Sequence, residues 1–234
     1  MQLVVDVGNT ETVVGLATST TELAAHWRVS SSVPRTGDEM TALIRAFLAG
    51  DGVDESRIMR GVVGSVVPSV NQVWTETLAE ITGGEVISVG PASPLPIELD
   101  VEEPLSVGAD RIVNTLAARE LYGRDTIAVD LGTATTFDCI STRGEYLGGV
   151  ICPGVDISAD ALFERAAQLP RVDVCKPKRV IGRTTVESMQ SGLFYGYVAM
   201  VEGIEARLRD ELEATPGGGT PICVATGGMA AVVA

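Results

Sequence analysis

One short pattern occurs twice in this chain. "VVDVGNTETVVGL" covers residues 4–16, and "AVDLGTATTFDCI" covers residues 128–140. Aligned without a gap, Asp6 falls on Asp130, Gly8 on Gly132 and Thr12 on Thr136. Each copy leaves an apolar strand-like run, turns through Gly and small polar residues, and enters a second strand-like run. One such turn is ordinary hairpin chemistry, because Asn and Asp readily close turns on their own backbone. Two copies, each heading a β-rich stretch, point to a duplicated domain.

The flanking segments repeat as well. "QLVVDV", "TVVGLAT" and "LAAHWRVS" read as three strands. A helix follows in "TGDEMTALIRAFLAG", where Thr36 and Glu39 carry a capping-box signature. "RGVVGSVVP" reads as a buried strand, "SVNQVWTETLAEIT" as a helix and "EVISVG" as a strand. The proline-rich "GPASPLPIELDVEEP" reads as extended and irregular. "GADRIVNTLAARELYG" is an amphipathic helix closed by Gly123. The series then restarts with "TIAVDLG", "TTFDCIS" and "EYLGGVICPG" as strands. "DISADALFERAAQL" is a helix ended by Pro170. The stretch from Thr184 to Glu213 is helical, with an interruption expected at Gly192 and Gly196. "TPICVATGG" is a last strand and turn. The fold class is therefore α/β: two units of β-β-β-α-β type meeting near residues 100–125. Duplication sets the two turns across an interdomain cleft, each holding part of one polyphosphate.

Composition narrows the ligand. The 234-residue chain has a net charge of −14, with 45% hydrophobic and 21% charged residues. Such a surface repels nucleic acid and anionic lipid, so neither is an expected partner. No apolar run reaches the ~18 residues of a membrane span, and no signal peptide is evident at Met1. The four cysteines, Cys139, Cys152, Cys175 and Cys223, form no CxxC pair, and His26 is the one histidine. These suggest buried free thiols in a reduced cytoplasm and a strand residue at His26, not a zinc centre or a Ser–His–Asp triad. A phosphate compound would then be held by backbone N–H groups, a metal ion and a few arginines. Glycine lets the backbone approach a phosphate, and successive N–H groups form an anion-binding concavity. Asp6 and Asp130 cannot bind phosphate directly, so their sensible role is to hold a cation or its waters. Neither GxxxxGK[ST] nor GxGxxG is present.

"VGADRIVN" (107–114) sets Asp110 and Arg111 at a helix start. Asp110 there suits helix capping, and equally suits accepting a proton from a substrate hydroxyl while Arg111 holds an anion. "LPRVDVCKPKRVIGR" (169–183) gathers positive charge and reads as a solvated loop.

Together, "DVGNTETVVGL", "PLSVGADRIVN", "VDLGTATTFD", "GGVICPG", "TTVESMQSG" and "ATGGMA" resemble type III pantothenate kinases, a bacterial family of the sugar kinase, heat-shock-70 and actin superfamily. The motifs run in family order over essentially the whole chain. The resemblance implies duplicated ribonuclease H-like (actin-like ATPase) domains, at 1–113 and 114–234. It implies ATP-dependent phosphorylation of pantothenate, the first step of coenzyme A synthesis. Asp6, Val7, Gly8, Asn9, Thr10, Glu11, Thr12 and Val13 would bind ATP, as would Thr133. Asp110 would accept the proton. Gly108, Ala109, Asp110, Arg111 and Thr185 would bind pantothenate. Asp130 would hold a monovalent cation (potassium or ammonium), and Asp6 would hold magnesium directly or through water. A cytoplasmic homodimer is implied, with the pantothenate pocket near the subunit contact. Val101 stands where the family often has a tyrosine on that pocket's wall. The family pattern also implies one more helix after "ATGGMAAVV", beyond the last residue, Ala234. The competing readings are a phosphatase of the same superfamily and a non-catalytic regulatory homologue that binds nucleotide.

Overall fold

The computed structural model describes residues 1–20 and 22–230. By contact the chain divides into two compact units. Met1–Leu95 groups with Glu103–Val113, and Pro96–Glu102 groups with Asn114–Ala234.

In the first unit, β1 (Gln2–Val7), β2 (Glu11–Ala17) and β3 (Leu23–Ser30) form an antiparallel meander. Helix α1 (Gly37–Gly50) leads to β4 (Arg60–Ser65), which pairs parallel with β1. Helix α2 (Asn71–Thr82) then leads to β5 (Glu85–Val89), parallel to β4. The strand order is β3-β2-β1-β4-β5. Alternation in β1 buries Leu3, Val5 and Val7 against Ile44 and Leu48 of α1 and Trp74 and Leu78 of α2. The α1 capping box forms as expected: the Glu39 N–H donates to Thr36 Oγ1 and the Thr36 N–H to Glu39 Oε2, at 3.3 and 2.8 Å. His26 lies exposed on β3, a sheet edge.

The second unit repeats the plan. β7 (Thr126–Leu131), β8 (Ala134–Ile140) and β9 (Glu145–Pro153) form the meander, and β10 (Ile222–Thr226) pairs parallel with β7. Its order, β10-β7-β8-β9-β6, mirrors the first sheet over four strands. The fifth, β6 (Glu98–Leu99), comes from the proline-rich stretch expected to be irregular, and pairs parallel with β9. This pairing carries residues 96–102 into the second unit, where Val101 lies beside Gly148. Helix α3 (Ala109–Tyr122) precedes β7 and ends at Gly123, which adopts φ +58°. Ile127, Val129, Leu131 and Phe137 pack with Leu193 and Tyr197 of α5 (Thr185–Ala214).

Three details depart from the sequence expectations. α5 is unbroken at Gly192 and Gly196, both exposed and facing open space. Their cost is propensity alone, about 1 kcal/mol each, and the buried face of a thirty-residue helix outweighs it. Helix α4 (Val155–Arg165) ends well short of Pro170, whose bias against helix reaches back only to Leu169, so the proline is not what stops it. The cysteines are not uniformly buried: Cys139 is, Cys152 is half-buried, and Cys175 and Cys223 are exposed. The end of the last motif, residues 231–234, lies outside the described residues.

Among the described residues no helix is long and apolar enough to cross a membrane.

Candidate active site

The first glycine turn sits between β1 and β2. The Gly8 N–H donates to the Glu11 carbonyl at 3.1 Å, and a side chain at Gly8 would press on that oxygen. Asn9 and Thr10 are exposed at the tip. The side chains of Val7 and Thr12 point into the unit, buried in its core and hydrogen-bonded to Ser31 respectively, so these two residues can offer a ligand only their backbone. Val13 is half-buried and Glu11 pairs with Arg28.

Sheet register brings a second carboxylate to this turn. Asp6 pairs across to Gly64 of β4. Gly64 faces Ala109 and Val113 in the first turns of α3, where a Cβ would lie 3.8 Å from each. Asp110, next to Ala109, is therefore close enough for its charge to act on Asp6. The Asp6 carboxyl is held above its ordinary pKa, first by desolvation and then by the Asp110 charge. Asp6 keeps exposed surface, so this desolvation comes from neighbouring protein atoms on part of the carboxylate. A carboxylate perturbed by burial and by a second carboxylate beside a glycine turn makes this a candidate functional site.

The Asp110 carboxylate accepts the Arg111 N–H at 2.8 Å within the first turn of α3. A side chain on Gly108 would lie 2.5 Å from Asp110 Oδ1. A side chain there would push that oxygen aside. Asp110 thus helps start the helix and stays half-buried beside Asp6. Arg111 is half-buried on the same turn. Among the described residues there is no cluster of three or more His, Cys, Asp or Glu fit to hold a metal. A magnesium ion held by one or two carboxylates would find one in Asp6.

In the second unit the turn between β7 and β8 carries Gly132 and an exposed Thr133. Asp130 is half-buried at the end of β7, in register with Thr136 and Thr226. Gly227, at φ +92°, brings backbone so near that a side chain there would stand 2.5 Å from Asp130 Oδ1. The "ATGGMA" turn is tied to the same strand end by the Met229 N–H, which donates to the Leu131 carbonyl. Tyr197 donates or accepts a hydrogen bond with Thr135, and its hydroxyl pKa is raised by burial and by the charges of Asp156, Cys152 and Asp130. Thr185 is exposed as the first residue of α5, while Thr184 caps the helix by accepting the Glu187 N–H.

The gap-free overlay of the two turns is one residue out. Val7 pairs with Thr12, whereas Leu131 pairs with Thr135. Thr135, not Thr136, is the counterpart of Thr12, because the first turn is longer by a residue. Sequence reasoning also passed over Gly64, Ser31 and Tyr197, whose roles depend on contacts across the fold and leave no local signature.

The family model described as type III pantothenate kinase matches residues 2–207. The chain belongs to that family. Type III pantothenate kinases of Moorella thermoacetica and Syntrophotalea carbinolica are each 47% identical to it, over 233 and 234 residues. Both matches cover 100% of this chain and 89% of the relative. One from Acidothermus cellulolyticus is 45% identical over 238 residues, with 100% and 89% covered. Among solved structures, a Campylobacter jejuni protein described as a Baf family transcriptional activator matches with TM-score 0.52 at 18% identity, over 94% of this chain and 90% of that one. Component A of (R)-2-hydroxyglutaryl-CoA dehydratase from Acidaminococcus fermentans matches with TM-score 0.50 at 13% identity, over 98% and 83%. These likenesses speak for the fold, which is the duplicated actin-like ATPase fold of the family.

Proposed function

We propose that this protein phosphorylates pantothenate with ATP, giving 4'-phosphopantothenate and ADP at the first step of coenzyme A biosynthesis. The observation that carries this reading is the action of the Asp110 charge on Asp6 at the glycine turn, in a chain whose whole length matches type III pantothenate kinases. Asp110 accepts the proton of the pantothenate hydroxyl as its oxygen attacks the γ-phosphorus. The bond to the β–γ bridging oxygen breaks and ADP leaves. Such a transfer asks the protein mainly for alignment and charge neutralisation.

The 6–13 turn holds ATP phosphates through the N–H groups and side chains of Asn9 and Thr10, with Gly8 closing the turn so that they face outward, and Thr133 does so from the second unit. Magnesium would sit with Asp6, directly or through water, and would neutralise phosphate charge. Gly108, Ala109, Arg111 and Thr185 bind pantothenate, with Arg111 drawn to its carboxylate. Asp130 holds a monovalent cation, potassium or ammonium. Its support is that the Asp130 carboxylate lies against the Gly227 turn, with its negative charge felt at the Tyr197 hydroxyl. The enzyme works in the cytoplasm as a homodimer.

The test is product identification. Incubation with MgATP and pantothenate, followed by mass spectrometry, should yield 4'-phosphopantothenate in step with ADP. Free phosphate appearing with no phosphorylated pantothenate would replace this reading with a phosphatase.

A further inference from the structure

The two glycine turns are held from outside by the same device. In the first unit the residue directly after β3 is Ser31, and its N–H donates to the carbonyl of Thr10, the turn's tip, at 3.0 Å. In the second unit the residue directly after β9 is Gly154, and its N–H donates to the carbonyl of Thr133, again the tip, at 3.1 Å. The correspondence extends to the buried threonines. Thr12, paired with Val7, shares a hydrogen bond with the Ser31 hydroxyl at 2.8 Å. Thr135, paired with Leu131, shares one with the Tyr197 hydroxyl. The residues differ, yet each turn receives one N–H at its tip and one hydroxyl at its buried threonine.

Both clamps are themselves fixed. Arg35 Nη1 donates to the carbonyls of Ser30 and Val33, at 3.0 and 3.4 Å, closing the loop that delivers Ser31. Gly154 lies so close to its target that a side chain there would run into the carbonyl oxygens of Thr133 and Gly132. It is also the N-cap of α4, so the start of that helix is bound to the turn.

We propose that Ser31 and Gly154 are positioning residues for the nucleotide. They set the path of the two turns whose N–H groups and threonines hold ATP phosphates, without touching the reacting atoms. This rests on the kinase reading above. A short hairpin tip is free to rock about its flanking strands, and phosphate binding needs several N–H groups aimed together. The bond from beyond the third strand removes that freedom before nucleotide arrives.

Ser31→Ala keeps the N–H and deletes the hydroxyl. It should weaken MgATP binding about five-fold, the loss of one neutral hydrogen bond. KM for pantothenate should stay as it was, and Tm should hold within a few degrees. Ser31→Thr should restore MgATP affinity. Gly154→Ala should weaken MgATP on the order of ten-fold or more through the displaced turn. Affinity is read by displacement of a fluorescent ATP analogue, alongside KM for each substrate and a melting curve. Unchanged MgATP affinity in Ser31→Ala would overturn the proposal. So would a fall in Tm with both KM values moving together, which is the mark of a merely structural residue. If the wild-type protein binds MgATP but does not phosphorylate pantothenate, the function assigned above fails while the binding measurement still decides this point. A wild-type protein that binds no MgATP overturns both.

Discussion

Asp6 shows what the candidate site costs the fold. Its folded pKa is raised, so its protonated form is the one the structure favours. The sign follows: whatever stability the protonated group lends is complete below the ordinary carboxylate range and is lost as pH rises through the raised value. At neutral pH the ionised group therefore opposes folding, and Asp6→Asn should raise Tm while activity collapses. A melting curve at pH 7 beside an activity assay checks both halves. Asp110→Asn should cut turnover by about 10²–10⁴-fold while MgATP still binds. In the same variant the Asp6 pKa should move down, staying above the ordinary value because desolvation, the larger cause, remains. A carboxyl NMR titration reads this directly. An Asp6 titration unmoved by Asp110→Asn would mean that the two carboxylates do not meet.

At the scale of elements, one carboxylate holds three connections together. Asp125, buried ahead of β7, accepts the N–H and hydroxyl of Thr142 in the β8–β9 turn and the N–H of Gly219 before β10. Burial works to raise its pKa, but the donors from Gly219 and Thr142 outweigh it and hold the pKa below normal. Its stabilising contribution is thus present above the ordinary carboxylate pKa of about 4 and fades as pH falls through the depressed folded value. Asp125→Ala would leave two backbone N–H groups without their acceptor, at a cost of about 3 kcal/mol. Urea titrations at pH 7 and pH 3 should show the variant and the wild type far apart at the first and drawing together at the second.

Most elements were legible in the sequence for identifiable reasons. The strands announce themselves by β-branched runs ended at polar turns, and α1 by its Thr36–Glu39 box. What stayed hidden was set by distance. β6 is two residues long and exists only because β9 offers it an edge. The extra residue in the first turn cannot be seen without the pairing of Val7 with Thr12. α5 runs through two glycines because packing by Met189, Leu193 and Tyr197 outweighs local propensity.

At the scale of the whole molecule, the repeat noticed in the sequence is a repeat of topology. Four strands in the same order carry a glycine turn at the same place in each unit. Of the candidate site, the local parts were readable: the two turns, Asp110 with its helix start, and Arg111. The meeting of Asp6 with Asp110 was not, since it depends on the register of β1 with β4 and on Gly64 facing α3. A protein of net charge −14 must also bind a polyanion against its own field, which makes a bound cation a natural part of the site.

The most direct test of this account is ADP formation from MgATP, measured with and without pantothenate, in potassium buffer and in sodium buffer. The account predicts ADP only when pantothenate is present, formed much faster in potassium, with the potassium advantage lost in Asp130→Ala. ADP released equally with and without pantothenate would contradict it.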